Sequence, residues 1–420
     1  MLRMTSYYSN TPSRTFLSKI YMWSLALNPL LYWYDISMPI GLGSMILLLL
    51  STISIVQNRF KINVLSPSFL IVLIYVCLTW SYNHEFEIWT FFPPGGWLFF
   101  TFVLSLIGGI LLFDFNYLKK CMHWIILVAV PLFWIQFLMV QIRGGAYFCF
   151  VPHLTDHFTY QGWSYSEMYN VHVNKVNPCS IFIEKSYMAY YLVSYLSIVL
   201  FQKNNLTKWF KLEILIIFLT LIMLKSGSGI VGLATILIFK LYMIFRKSGF
   251  WNTILMIFLI LPLIIVAIQG FLLSETGQDI SSRQSEISTE GTSGFVRITN
   301  GYLLFSELTR TQQIFGMKLS DAIEQFGWMR SDGTFGLYIN GIQTILISLG
   351  YVGLVFYLFF YYRLYINSNL SSKMCILSLL VISFLESTYL NPHMLLLTII
   401  PCGCAYRRLS PCGDKYLEKC

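Results

Sequence analysis

The chemistry open to this chain rests on six charged residues, four of them beside long apolar runs and two in a polar stretch. A charge at the centre of a membrane helix costs about 2.5–3.5 kcal/mol, so each of the four needs a reason. Glu184 and Lys185 open one run, in NPCSIFIEKSYMAYYL, where a carboxylate would line a cleft at the membrane edge. The plainer alternative is an interfacial pair snorkelling to the headgroups. Lys225 lies in LKSGSGIVGL, a short turn between two apolar runs. Its Ser and Gly residues let backbone N–H groups point outward at a helix N-terminus, where anions are favoured. That turn suits a phosphate, or else is a tight hairpin with a snorkelling lysine.

Arg283 and Arg297 come from a polar stretch that also holds Arg310 and Arg330. Guanidinium forks take phosphate oxygens two at a time, so a diphosphate would draw on several of them. The alternative pairs them with Glu286 and Glu290 in a solvated loop. Asp332, in RSDGTFGLYINGIQTILISLGYVGLVFYL, would deprotonate a hydroxyl if burial raises its pKa toward the working pH, or else caps the following turn or helix. His153, His157 and His172 lack metal-ligand spacing, and the nine Cys include no CxxC pair, so neither a metal centre nor a cofactor is expected. Cys402, Cys404, Cys412 and Cys420 read as an unstructured, reduced tail.

The elements that position these residues follow from composition. Of 420 residues, 56% are hydrophobic and 11% charged, against roughly 25% charged in a soluble domain. A soluble globular fold is excluded, and 34 Phe and 27 Tyr exceed what one aqueous core would hide. The formal charge of +9 is scattered between apolar runs without a continuous basic patch, which excludes nucleic acid as a partner. The runs are too long for barrel strands, and a span needs about 20 apolar residues. They predict an all-α, polytopic membrane protein of about twelve helices, near 20–34, 38–56, 68–82, 97–113, 121–140, 181–201, 212–225, 228–245, 252–273, 340–362, 373–388 and 391–406. The polar stretch before the first run predicts no cleavable signal peptide.

Lys and Arg fall in every second gap, from Arg3, Arg14 and Lys19 through Arg59 and Lys61, Lys119 and Lys120, to Arg407 and Arg408 at the end. Cytoplasmic loops collect such residues, so both termini are expected inside, with a single membrane domain over 1–420. Two external loops are long, about 141–180 and 274–339, and loops of that size usually carry function. In the second, FVRITNGYLLFSEL has apolar residues at helical spacing and suits a helix along the membrane surface.

Four stretches in order, IFIEKSYMAYYL, LKSGSGIVGL, SGFVRITNGYLLF with IFGMKL, and SDGTFGLYINGIQTILISLGYVGLVFYL, resemble the Wzy-type O-antigen and capsule polymerases, relatives of the O-antigen ligases. The resemblance runs from about residue 181 to 361. Glu184 matches the Glu of an E-P-S-like stretch, with Lys185 where Pro is common; Arg297 matches an Arg ahead of a G-x-G-like turn that here reads Phe315-Gly316-Met317. Arg283 and Gly294 fit an Arg-x(10)-Gly pattern, Gly227 occupies an Arg position for which Lys225 would substitute, and Asp332 falls where the ligases carry a His.

The resemblance implies a metal-independent, inverting glycosyltransferase of the bacterial inner membrane. Its donor is an undecaprenyl-diphosphate-linked oligosaccharide, its acceptor a single lipid-linked repeat, and its partners a flippase and a chain-length regulator. It implies that Arg283, Arg297, Lys225 and Lys185 hold diphosphate or sugar, and that Glu184 and Asp332 serve catalysis. The rivals are a ligase moving finished glycan, a flippase or transporter of the same lipid-linked sugar, and a scaffold of an envelope machine.

Overall fold

A computed structural model of the protein describes residues 12–34, 41–57, 67–82, 102–158, 164–174, 178–201, 208–247, 296–326, 328–329, 335–336, 339–387, 391 and 395–409. The expected helix at 252–273, the opening of the second long loop, Arg283, Arg330 and Asp332 lie outside the described residues. The described chain is mostly helical. Its elements are α1 Pro12–Leu31, α2 Leu42–Gln57, α3 Pro67–Tyr82, α4 Phe102–Leu112, α5 Phe115–Arg143, α6 Tyr165–Asn174, α7 Lys185–Val199, α8 Lys208–Met223 and α9 Gly227–Lys247. A π-helical turn at Val296–Asn300 leads into α10 Gly301–Glu307, α11 Arg310–Phe315 and α12 Leu319–Phe326. The two-residue strands β1 Trp328–Met329 and β2 Phe335–Gly336 pair antiparallel, before α13 Gly341–Asn367, α14 Leu370–Ile382 and α15 Leu395–Leu409.

A helix lies at each expected apolar segment that falls within the described residues, with boundaries moved by local chemistry. The segment expected at 121–140 is a helix over Phe115–Arg143, because the Asp114 side chain accepts from Tyr117 N at 3.1 Å and Gly144, at φ 75°, closes the far end. The segment expected from 181 begins only at Lys185. Ser180, at φ 60°, sits in a turn whose Cys179 and Ser180 N–H groups both donate to Gln136 Oε1, at 3.2 and 2.7 Å. That turn delays helix entry until Glu184. Cys402 and Cys404 are part of α15, with Cys402 fully buried, so the tail reading fails for these two.

Three of the described helices are long and apolar enough to cross a membrane: Phe115–Arg143, Gly227–Arg246 and Gly341–Asn367. On α5 the large side chains Trp124, Leu127, Val128, Ile135 and Leu138 are exposed at helical spacing. Such a face is stable against lipid and costly against water. α7 is the central helix: every residue from Met188 to Val199 is buried, as a helix apolar on all sides requires. It packs between α9 and α14, which also touch each other, while α5 and α8 close its other side.

The segment expected as one helix over 340–362 is broken. Gly350 sits at φ 66°, ψ −171° inside α13, and the chain after α11 docks into the break. Met317 N donates to Ile347 O at 2.8 Å, and the Tyr75 hydroxyl of α3 donates to Leu349 O at 2.7 Å, so carbonyls freed by the break find partners. A Cβ on Gly350 would come 2.3 Å from Ile314 O, and one on Gly316, at φ 88°, would come 2.3 Å from Ser348 O. Gly350→Ala is therefore expected to cost at least about 2 kcal/mol, from the left-handed penalty plus displaced backbone. Thermal unfolding of the purified protein checks it, and an unchanged midpoint contradicts the close approach.

The described part of the second long loop is thus folded structure. Phe305, Leu308, Met317 and Ala322 form a small core with Ile339 and with Ile342, Leu346 and Ile347 of the first half of α13. In the first long loop, Val151, Phe158 and Met168 pack with Tyr34 and Ile183, and the Tyr34 hydroxyl donates to Pro152 O.

Candidate functional site

Five elements bring polar side chains to one end of the α7–α9–α14 cluster. Glu184 is the residue that opens α7, Lys225 and Ser226 form the turn into α9, Ser383–Glu386 follow α14, Arg297 stands in the π-helical turn, and Asn340 caps α13. Arg297 Nη1 donates to Glu386 Oε1 at 2.7 Å. The guanidinium side chain is 41% exposed and the carboxylate side chain 21%, so the arginine leans outward over a more deeply set partner.

Beneath that pair runs a line of hydroxyls. The buried Tyr190 of α7 bears on the Glu386 carboxyl, Ser228 Oγ donates to Tyr190 Oη at 3.3 Å, and Ser226 and Ser228 hydroxyls are 3.2 Å apart. The turn carrying Lys225 is thereby tied to the Arg297–Glu386 pair through one tyrosine. Close helix packing makes the reach short, since a Cβ on Gly229 would fall 2.7 Å from Ala189 Cβ.

The start of α13 fixes both members of the ion pair. Asn340 Nδ2 donates to Arg297 O at 3.1 Å and to Phe384 O at 3.0 Å, while Gln343 Nε2 donates to Ile298 O at 2.7 Å. Gly341 N donates to Glu386 O at 2.8 Å and Ile342 N to Ser383 O at 3.1 Å. Asn340 Oδ1 takes the Gln343 N–H at 2.9 Å, and both side chains are fully buried. The N–H groups of this helix N-terminus are therefore spent on holding the site together.

The residues singled out from the sequence divide as follows. Arg297 and Glu184 belong to this end of the bundle, and the Glu184 charge bears on Glu386. Glu184 Oε2 accepts from Ser186 Oγ at 3.1 Å, and Lys185, half-buried, is the first residue of α7. Lys225 is half-buried at φ 48°, a conformation that non-glycine residues seldom adopt. At that turn the Ser226 and Ser228 side chains are buried, and Ser228 Oγ donates to Tyr190 Oη.

Glu386, Tyr190 and Asn340 carry the geometry and were not singled out from the sequence. A lone carboxylate at the end of an apolar run, in SFLESTYLNP, was the available signal for Glu386. Glu386 lies in the turn beyond Ile382, outside α14. Burial pushes its carboxyl above the ordinary carboxylate range, Arg297 pulls it back, and Glu184 adds to the rise. The arrangement can hold an anion on Arg297 and take a proton on a carboxylate.

A second polar cluster lies toward the other end of α7. His123 Nδ1 is 2.8 Å from Glu213 Oε1 and 3.1 Å from the Tyr195 hydroxyl, which itself donates to Glu213 Oε1 at 3.0 Å. The histidines of the first long loop differ in setting. His153 is exposed beside Asp156 at 3.0 Å, whereas His172 is buried with Nδ1 3.3 Å from Cys179 Sγ. Compared with known families and curated proteins, the chain matches no family model and no curated sequence.

Proposed function

We propose that the protein polymerises lipid-linked oligosaccharide repeats on the outer face of a bacterial inner membrane, as a chain of about twelve spans with both termini in the cytoplasm. The observation that supports this best is the fixed position of Arg297. Its backbone is pinned by Asn340 and its guanidinium sits beside two carboxylates, Glu386 and Glu184, at one end of the bundle. Basic gaps in the sequence put that end outside.

In this reading the donor is glycan on undecaprenyl diphosphate, and the acceptor is a single lipid-linked repeat. The acceptor hydroxyl attacks the anomeric carbon with inversion. A C–O bond forms there, the bond from that carbon to the diphosphate oxygen breaks, and the hydroxyl proton passes to a carboxylate. Arg297, with Arg283, Lys225 and Lys185, meets the charge left on the diphosphate, which is worth most in a site sheltered from water. Asp332 takes the proton of the acceptor hydroxyl, and Glu184 binds sugar or serves catalysis.

The reading is tested by deleting the gene and following surface glycan on a gel. Loss of a polymerase leaves single repeats on their outer acceptor, and the wild-type chain restores the ladder. Reporter fusions that put residues 296–326 in the cytosol would overturn the assignment. A second reading, a transporter of the same lipid-linked sugar, draws on the His123–Glu213–Tyr195 cluster, since ionisable groups inside a bundle also mark transport paths. Its loss would leave repeats trapped on the inner leaflet, with none outside.

A further inference from the structure

Arg297 is not waiting empty-handed. Its Nη1 already bonds Glu386 Oε1 at 2.7 Å, and its backbone carbonyl is held by Asn340. An anion arriving at Arg297, whose side chain is 41% exposed, must compete with a carboxylate that the protein itself supplies. The carboxylate also stands near a like charge, Glu184, which makes the neighbourhood unfavourable for any further anion while Glu386 remains ionised. Yet Glu386 also has a neutral neighbour, the Tyr190 hydroxyl, steadied in turn by Ser228. A carboxylate with a neutral hydroxyl in its neighbourhood can surrender a charged partner without being stranded.

We propose that Glu386 is an internal stand-in for the leaving diphosphate: it occupies Arg297 between turnovers, yields to the phosphate oxygens when donor binds, leaning then on Tyr190, and reclaims Arg297 to expel the product. The idea rests on the polymerase reading, in which Arg297 meets a diphosphate. Its use to such an enzyme is release. A site that gripped lipid diphosphate with unopposed cations would bind product as tightly as donor, and a competing carboxylate weakens both by the same amount, so turnover gains where product release limits it.

The test is binding of inorganic pyrophosphate to the full-length protein in nanodiscs, measured by calorimetry for wild type, Arg297→Ala, Glu386→Gln and Tyr190→Phe. Glu386→Gln keeps the shape and removes the competing charge, and is expected to bind about 10-fold more tightly. Tyr190→Phe takes away the alternative partner, drives Glu386 back onto Arg297, and is expected to bind roughly 3-fold more weakly. Opposite signs are the mark of exchange, since damage to a merely structural network weakens binding in both. Glu386→Gln binding no more tightly than wild type overturns the proposal; should that variant fail to fold, Tyr190→Phe decides, and unchanged or tighter binding overturns it. If Arg297→Ala binds pyrophosphate as wild type does, the diphosphate reading itself fails, a result distinct from loss of the exchange.

Discussion

Arg297→Ala is expected to leave the protein in the membrane while reducing long surface glycan to single repeats. The substitution removes a guanidinium that bonds Glu386 at 2.7 Å and that, in the proposed reaction, faces the leaving group. Removing one charge-stabilising donor from an active site typically costs a factor of about 100–1,000 in rate, enough to erase a ladder. A stability cost accompanies it, because Glu386 loses its charged partner. Breaking a fully buried pair costs about 3–5 kcal/mol, but the Arg297 side chain is 41% exposed, so about 2 kcal/mol is the better expectation. Pairing the change with Glu386→Gln separates the two effects: the double variant regains stability and stays inactive. A full-length ladder from Arg297→Ala, at wild-type protein levels, would remove this residue from the mechanism.

Asn340→Asp changes one atom of a fully buried side chain and is expected to do nearly as much harm. The carboxylate still caps α13 by accepting from Gln343 N, so the helix start survives. The lost Nδ2 donor had two acceptors, Arg297 O and Phe384 O, at 3.1 and 3.0 Å. Those carbonyls would then face an oxygen, each at about 1–3 kcal/mol for an unmet buried group. About 3 kcal/mol of destabilisation is expected in thermal unfolding, together with loss of the ladder, because the backbones of Arg297 and of the Glu386 turn are no longer locked to each other. Asn340→Asp unfolding at the wild-type midpoint would show that this bridge is not what holds the pair.

Much of the architecture was legible residue by residue. Apolar runs of helical length marked the helices, whereas the caps that set their ends, Asp114 before α5, Gly144 after it and Asn340 before α13, were not singled out, although each acts within one turn of chain. The candidate site was legible in half: Glu184 and Lys225 drew notice as charges beside apolar sequence, and Arg297 as a cation in a polar loop. Glu386 did not, although it is the same kind of signal, because its meaning depends on a partner 89 residues away.

By itself the sequence determined a helical chain whose apolar faces demand lipid, since hydrophobic periodicity and capping are properties of neighbouring residues. Only the tertiary structure decided that Arg297 is held by Asn340 and answered by Glu386, that Tyr190 links them to the Lys225 turn, and that α13 breaks at Gly350 to seat the chain after α11. The physical reason is that pairing, burial and close backbone approach are set by which helix ends meet in space, and spacing along one chain carries no record of that meeting.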